Sequence, residues 1–164
     1  ALVLYKTLKF TLMTTVTKEA FNLVGISTIT SNENGKAAQD IPALWHRLMV
    51  ENVAGKVPNK TDETIYALYS DYEGDHTQPY KITIGYKVNS LDNIPEDLTV
   101  KMIPQSKFAK FTAQGNLTQD AVINKWMEIW NMDLKRTYTS DLEIYDNRAA
   151  DPTNGIAEIL IGIQ

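Results

Sequence analysis

Three side chains near the end of the chain have the types and spacing to do chemistry together. The stretch Ser140-Asp141-Leu142-Glu143-Ile144-Tyr145-Asp146 alternates, so it reads as a β-strand with two faces. Leu142 and Ile144 point toward a core, and Asp141, Glu143 and Tyr145 share the other face. A carboxylate beside an aromatic ring in mid-strand has two readings. It sits on the solvated face of an open sheet, where most lone Glu residues lie, or it faces a pocket. In a pocket it could compensate an organic cation or serve as a general base. Other chemistry is poorly represented. There is no cysteine, and the two histidines, His46 and His76, are far apart without a spaced partner. A thiolate metal site is excluded, and a histidine metal site or triad is not expected. Asp71, Glu73 and Asp75 alternate like a calcium loop, but the full ligand set and its bidentate Glu are missing. No metal and no cofactor are expected.

Composition narrows the classes further. The chain has 164 residues and 43% hydrophobic content, which suits one domain with a sizeable core. The formal charge is −4, and no Lys/Arg run exceeds two residues, so direct nucleic-acid binding is not expected. Eight Tyr and three Trp supply flat rings with polar edges, suited to cores, interfaces and pockets alike. The opening Ala1–Phe10 is apolar but short and interrupted by lysines. It resembles neither a membrane span nor a signal peptide. Residues 1–17 are read as an added arm, with a strand as one option, and a cytoplasmic protein without a membrane partner is expected.

The elements that must position Glu143 follow in chain order. Lys18 to Thr30 reads as a strand bending near Gly25. Ile41, Leu44, Trp45, Leu48 and Met49 form one apolar helical stripe, placing a helix at about 37–54. Asp40 is its expected N-cap, with Pro42 in the first turn and Gly55 and Pro58 as the stop. Ile65–Tyr72 and Tyr80–Val88 read as strands, and 89–97 as a linker. Leu98–Ile103 and Lys107–Ala113 are further strands. A second helix, at about 117–132 and capped by Asn116 or Thr118, carries Val122, Trp126 and Ile129, widened by Ile123 and Trp130. The strand bearing Glu143 comes next. Ile156–Ile163 is almost continuously apolar and is expected to be covered on both faces.

The order strand, helix, strand, strand thus occurs twice, over about 18–88 and 98–163. Leu68-Tyr69-Ser70-Asp71 resembles Ile144-Tyr145-Asp146-Asn147, and Ile82-Thr83-Ile84-Gly85 resembles Ile159-Leu160-Ile161-Gly162. Two such halves can pair into one curved antiparallel sheet with a helix on each half, an α+β architecture with a cleft at the junction. In this register Tyr69 and Tyr145 are equivalent, and Glu143 lies opposite the small Ala67.

At this point the residues resemble the GyrI-like effector-binding domain, found as the C-terminal ligand module of AraC-type and MerR-type multidrug regulators. The resemblance rests on Tyr66-Ala67-Leu68-Tyr69-Ser70-Asp71-Tyr72 with Tyr80–Gly85, on Trp126-Met127-Glu128-Ile129-Trp130, and most specifically on Arg136–Tyr145. It spans roughly residues 18 to 163, so 18–164 is read as a single effector-binding domain. The resemblance implies two pseudo-repeated halves around a central pocket, with the family's acidic residue matching Glu143. It also implies binding of lipophilic, often cationic, small molecules. The 17 residues before Lys18 are too few for a helix-turn-helix domain, so a stand-alone module is expected.

The physics of such a site agrees. Burying apolar ligand surface gains about 25 cal/mol per Å². A buried cation needs a counter-charge, and ring faces add about 0.5–2 kcal/mol each. Glu143 is the expected counter-charge, with Trp45, Trp126, Trp130, Tyr69, Tyr86 and Tyr145 as candidate rings. Each ring also has a plain packing role open to it. The leading function is a receptor or sequestering protein for lipophilic cations, linked to transcription regulation or drug response. A homodimer or a partner regulator is left open. The alternatives are a hydrolase of strained electrophilic compounds using Glu143 as base, or a protein-interaction module such as a gyrase antagonist.

Overall fold

The computed structural model describes residues 13–164; of the expected arm over residues 1–17, residues 1–12 lie outside the described residues, and its end enters a strand at Thr15–Lys18. The strands are β1 (Thr15–Lys18), β2 (Phe21–Thr30), β3 (Lys60–Ser70), β4 (Tyr80–Val88), β5 (Thr99–Ile103), β6 (Ser106–Gly115), β7 (Arg136–Tyr145) and β8 (Gly155–Ile163). The helices are α1 (Lys36–Val50), a single turn α2 (Val53–Lys56) and α3 (Ala121–Trp130). All eight strands form one antiparallel sheet in the order β1-β6-β8-β7-β3-β4-β2-β5. The expected α+β fold with a curved antiparallel sheet is the observed one. Its centre is the β3–β7 pair, flanked symmetrically by β4-β2 and β8-β6.

The curvature follows from two short links. β1 and β2 are joined by residues 19–20, and β5 and β6 by residues 104–105, yet each pair lies six strand steps apart in the sheet. Six steps in a flat sheet would span about 29 Å. Two linking residues reach only about 10 Å. The sheet must therefore curl into a half-barrel until its ends approach. One face then encloses a small cluster of Leu23, Leu68, Ile103, Phe108, Leu142, Ile144 and Leu160. The other face carries the helices and the larger core, including Leu44 and Leu48 of α1, Trp126 and Ile129 of α3, and Ile82, Ile84, Ile159 and Ile161 of the sheet. β8 feeds both clusters, as its continuous apolar sequence requires. Gly25 and Gly85 face each other where β2 and β4 come closest; a Cβ on Gly25 would lie 1.9 Å from the Ile84 carbonyl oxygen.

Several boundaries differ from the sequence reading. α1 begins at Lys36, four residues before Asp40, with Gly35 at its N-cap in the left-handed region at φ 68°. Pro42 is therefore inside the helix rather than in its first turn. The earlier start is accommodated because packing of the Leu44–Leu48 face outweighs the one hydrogen bond Pro42 cannot make. Met49 ends the stripe but is 71% exposed, and Ile123 is also exposed. The expected first helix is interrupted at Asn52, whose φ of 47° starts the separate turn α2. α3 is shorter than expected because Asn116 accepts hydrogen bonds from the Thr118 amide and hydroxyl, a local turn that delays the helix to Ala121. β7 begins five residues before Asp141, with a register shift against β8 between Arg136 and Asp141. No helix among the described residues is long and apolar enough to cross a membrane.

Candidate functional site

Alternation along β7 puts Glu143 on the helix-bearing face, between Ala67 of β3 and Ile159 of β8. Ala67 leaves room above the junction, and larger side chains fill it from three directions. Tyr69 comes from β3, Tyr145 from β7 itself and Trp126 from α3. The Glu143 carboxylate is only 3% exposed. Its Oε2 accepts hydrogen bonds from the Tyr69 hydroxyl at 2.7 Å and the Trp126 indole Nε1 at 2.7 Å. Its Oε1 accepts from the Tyr145 hydroxyl at 2.6 Å. Glu143 is therefore buried rather than on a solvated sheet face.

All three donors are uncharged, so the buried negative charge is hydrogen-bonded but not neutralised. Burial raises the Glu143 pKa above the ordinary carboxylate value, with the bonds from Tyr145, Tyr69 and Trp126 acting in the opposite sense. Burial and the nearby Glu143 charge push the Tyr69 and Tyr145 hydroxyls well upward. Tyr80 is pushed up to about 12 by the same two causes. A carboxylate offers about four acceptor positions, so three donors leave capacity for one more partner.

The rings extend from this centre in two directions. Trp45 of α1 meets Tyr145 edge-on at 4.9 Å. On the other side Tyr69 packs on Trp126 at 5.1 Å and on Tyr80 at 5.6 Å, and Trp126 on Trp130 at 6.4 Å. Trp130 stacks on His76 at 5.7 Å with a 9° interplanar angle. Glu143, Tyr69, Trp126 and Tyr145 are thus one hydrogen-bonded unit, and Trp45 and Trp130 join it through ring contacts. Tyr86 stays apart: it is buried in the same core, and its ring carries the Lys60 ammonium at 5.0 Å. His46 is exposed on α1. A concavity of about 270 Å³ lies on the opposite face, lined by Lys18, Phe21, Tyr66, Lys87, Leu142 and Ile144, and does not include Glu143.

Sequence reasoning missed Tyr72 and Tyr80, which continue the ring series at 5.6 Å from each other, and the ion pair of Arg136 with Asp141. Tyr80 was visible as the first aromatic residue of an alternating strand. Arg136 carried no periodic signal, because it lies across the register shift.

The raised Glu143 pKa has a measurable consequence. The folded state binds this proton more tightly than the unfolded chain. That stabilisation is complete below the ordinary value of 4.5 and is lost as pH rises through the higher folded value. Glu143→Gln cannot ionise. It should match wild type below pH 4.5 and be more stable than wild type near neutrality. Thermal melts of both proteins across this range check the sign. A wild-type advantage growing with pH would contradict the buried, uncompensated charge.

Comparison with known proteins gives a consistent picture. The family model Cass2, described as integron-associated effector binding protein, matches residues 14–163. The chain is 32% identical over 144 residues to YobU of Bacillus subtilis (strain 168), named as a candidate transcriptional regulator, covering 85% of this chain and 90% of that protein. It resembles the integron cassette protein VCH_CASS2 from the mobile metagenome of Vibrio cholerae, with 28% identity, a TM-score of 0.72, and coverage of 93% of this chain and 95% of the other. The fold of SAV2435, solved bound to tetraphenylphosphonium, is also similar: TM-score 0.77 at 23% identity, over 93% of each chain.

Proposed function

The chain belongs to the integron-associated effector-binding protein family, a GyrI-like group, and from that premise we propose that it binds lipophilic organic cations at Glu143. The observation that carries this reading is a buried carboxylate held by three neutral donors inside a series of aromatic rings. A ligand's positive charge would supply the missing compensation, and its apolar groups would lie against Tyr69, Trp126, Trp130, Trp45 and Tyr145. That SAV2435, of the same fold, takes tetraphenylphosphonium supports the choice of ligand class. The rings close tightly on Glu143, so entry requires side chains to move aside. Trp130 and His76, half-buried at the end of the ring series, form the natural entrance.

The site favours binding over catalysis. None of the hydrogen-bond partners of Glu143 is a serine, threonine, cysteine or lysine, and burial keeps the Tyr69 and Tyr145 hydroxyls in the weakly nucleophilic phenol form. The reading is of a cytoplasmic effector module that reports on, or sequesters, its ligand.

Titration with tetraphenylphosphonium, followed by tryptophan emission, tests this. Trp126 donates to Glu143, and Trp45 and Trp130 flank it. Bound ligand should change emission saturably, with a midpoint matching calorimetry. Absence of binding at millimolar ligand would overturn the reading. Calorimetric binding without any emission change would assign the tryptophans a packing role alone.

A further inference from the structure

Two residues before Glu143, on the same face of β7, lies a second buried group that the cation site does not use. Asp141 is fully buried and bonded to the Arg136 Nη2 at 2.8 Å, the Tyr72 hydroxyl at 2.5 Å and the Gly162 amide at 2.8 Å. The Arg136 side chain is 5% exposed. Its Nε and Nη1 have no acceptor among the described residues. Tyr138 covers the guanidinium at 4.4 Å and meets Tyr72 edge-on at 5.7 Å. This placement is held against backbone preference. Lys135 at φ 49° and Tyr138 at φ 53° bracket Arg136 in the left-handed region, which side chains other than glycine rarely adopt. Between Arg136 and Asp141 the register against β8 shifts, so residues 137–140 stand opposite the single Gly162.

We propose that Arg136, boxed by Tyr72 and Tyr138, forms an acceptor subsite that takes a neutral carbonyl, phosphoryl or sulfonyl oxygen of the ligand bound at Glu143. Asp141 already balances the Arg136 charge, so a neutral oxygen is preferred to a full anion. Buried donors without a partner are costly, and a ligand oxygen relieves one of the two. The Tyr72–Tyr80–Tyr69 ring series joins this subsite to Glu143. Positions two apart on a strand lie about 7 Å from each other, close to the length of one substituted phenyl ring. The favoured ligand is therefore an aryl cation with an acceptor on the far side of the ring from the charge. The proposal rests on the cation reading above for the orientation of the ligand.

The test compares tetraphenylphosphonium with its analogue bearing one para-carbamoyl group, in wild type and R136K. The lysine variant keeps the charge opposite Asp141 and loses the guanidinium fork. Wild type should prefer the carbamoyl compound by about 10-fold. In R136K that ratio should fall to about one. Equal affinities in wild type, or a preference that R136K leaves intact, would overturn the subsite. Should R136K fail to fold, the paired change Arg136→Gln with Asp141→Asn removes both charges together and carries the same comparison. Benzamide, which has the acceptor and no charge, separates the two readings. If neither phosphonium binds wild type, the cation reading falls. Benzamide binding that R136K weakens would still support the acceptor subsite, and benzamide failing as well would overturn it.

Discussion

Arg136→Met should lower folding stability by about 3–5 kcal/mol, the largest single loss expected among these side chains. Asp141 is fully buried and has Arg136 as its counter-charge. Methionine fills much of the space of the arginine stem but leaves the carboxylate with only the Tyr72 hydroxyl and the Gly162 amide. Those bonds do not neutralise it, and a buried unpaired charge is far more costly than a buried pair is beneficial. A domain stable by about 5–15 kcal/mol cannot absorb this without consequence. Urea unfolding should show a midpoint shifted down at nearly constant slope. Removing the partner charge as well, with Asp141→Asn, should recover much of the loss, since the two residues are strongly coupled. A change below about 1 kcal/mol for Arg136→Met would mean that the pair is solvated in solution and that the β7 bulge does not bury it.

The sequence carried the frame of this site but not its second half. Alternation in 140–146 put Glu143 and Tyr145 on one face, and the internal repeat placed Glu143 opposite Ala67, which is the observed pairing of β7 with β3. Helix periodicity identified Trp126 and Trp45 on faces that pack toward the sheet. These features are legible because period and residue type are both local. The expected start of α1, at about 37, is within one residue of Lys36, but its N-cap was misassigned because Asp40 and Pro42 look like an N-terminus, whereas burial of Leu44 and Leu48 sets the helix from further out. The half-barrel curl was not visible as periodicity. It follows from the two short links only once strand order is known. Arg136 was missed for a similar reason: a register shift erases the alternation that would have assigned it to a face. Tyr72 and Tyr80 were both read as plain strand residues, because only the fold brings both rings to one place.

Glu143→Gln should weaken binding of a lipophilic cation by roughly 30-fold or more, corresponding to about 2–5 kcal/mol. The substitution is nearly isosteric. The glutamine carbonyl can accept from Tyr69 and Trp126 as Oε2 does, and its amide can donate to the Tyr145 hydroxyl, so the local bonds are conserved in number. What disappears is the charge. In a site shielded from water the cation then loses its counter-ion while paying the same desolvation. A neutral ligand of equal shape pays no such cost, so methylbiphenyl should lose far less affinity than N-methyl phenylpyridinium. On a solvated face the same substitution would change affinity by no more than about 0.5 kcal/mol. The direct measurement is calorimetric titration of tetraphenylphosphonium into wild type and Glu143→Gln near neutral pH, with folding of both verified by thermal melts. A fall in affinity of roughly 30-fold or more is the predicted result, and equal affinity in the two proteins would contradict the role of Glu143 as the counter-charge of the site.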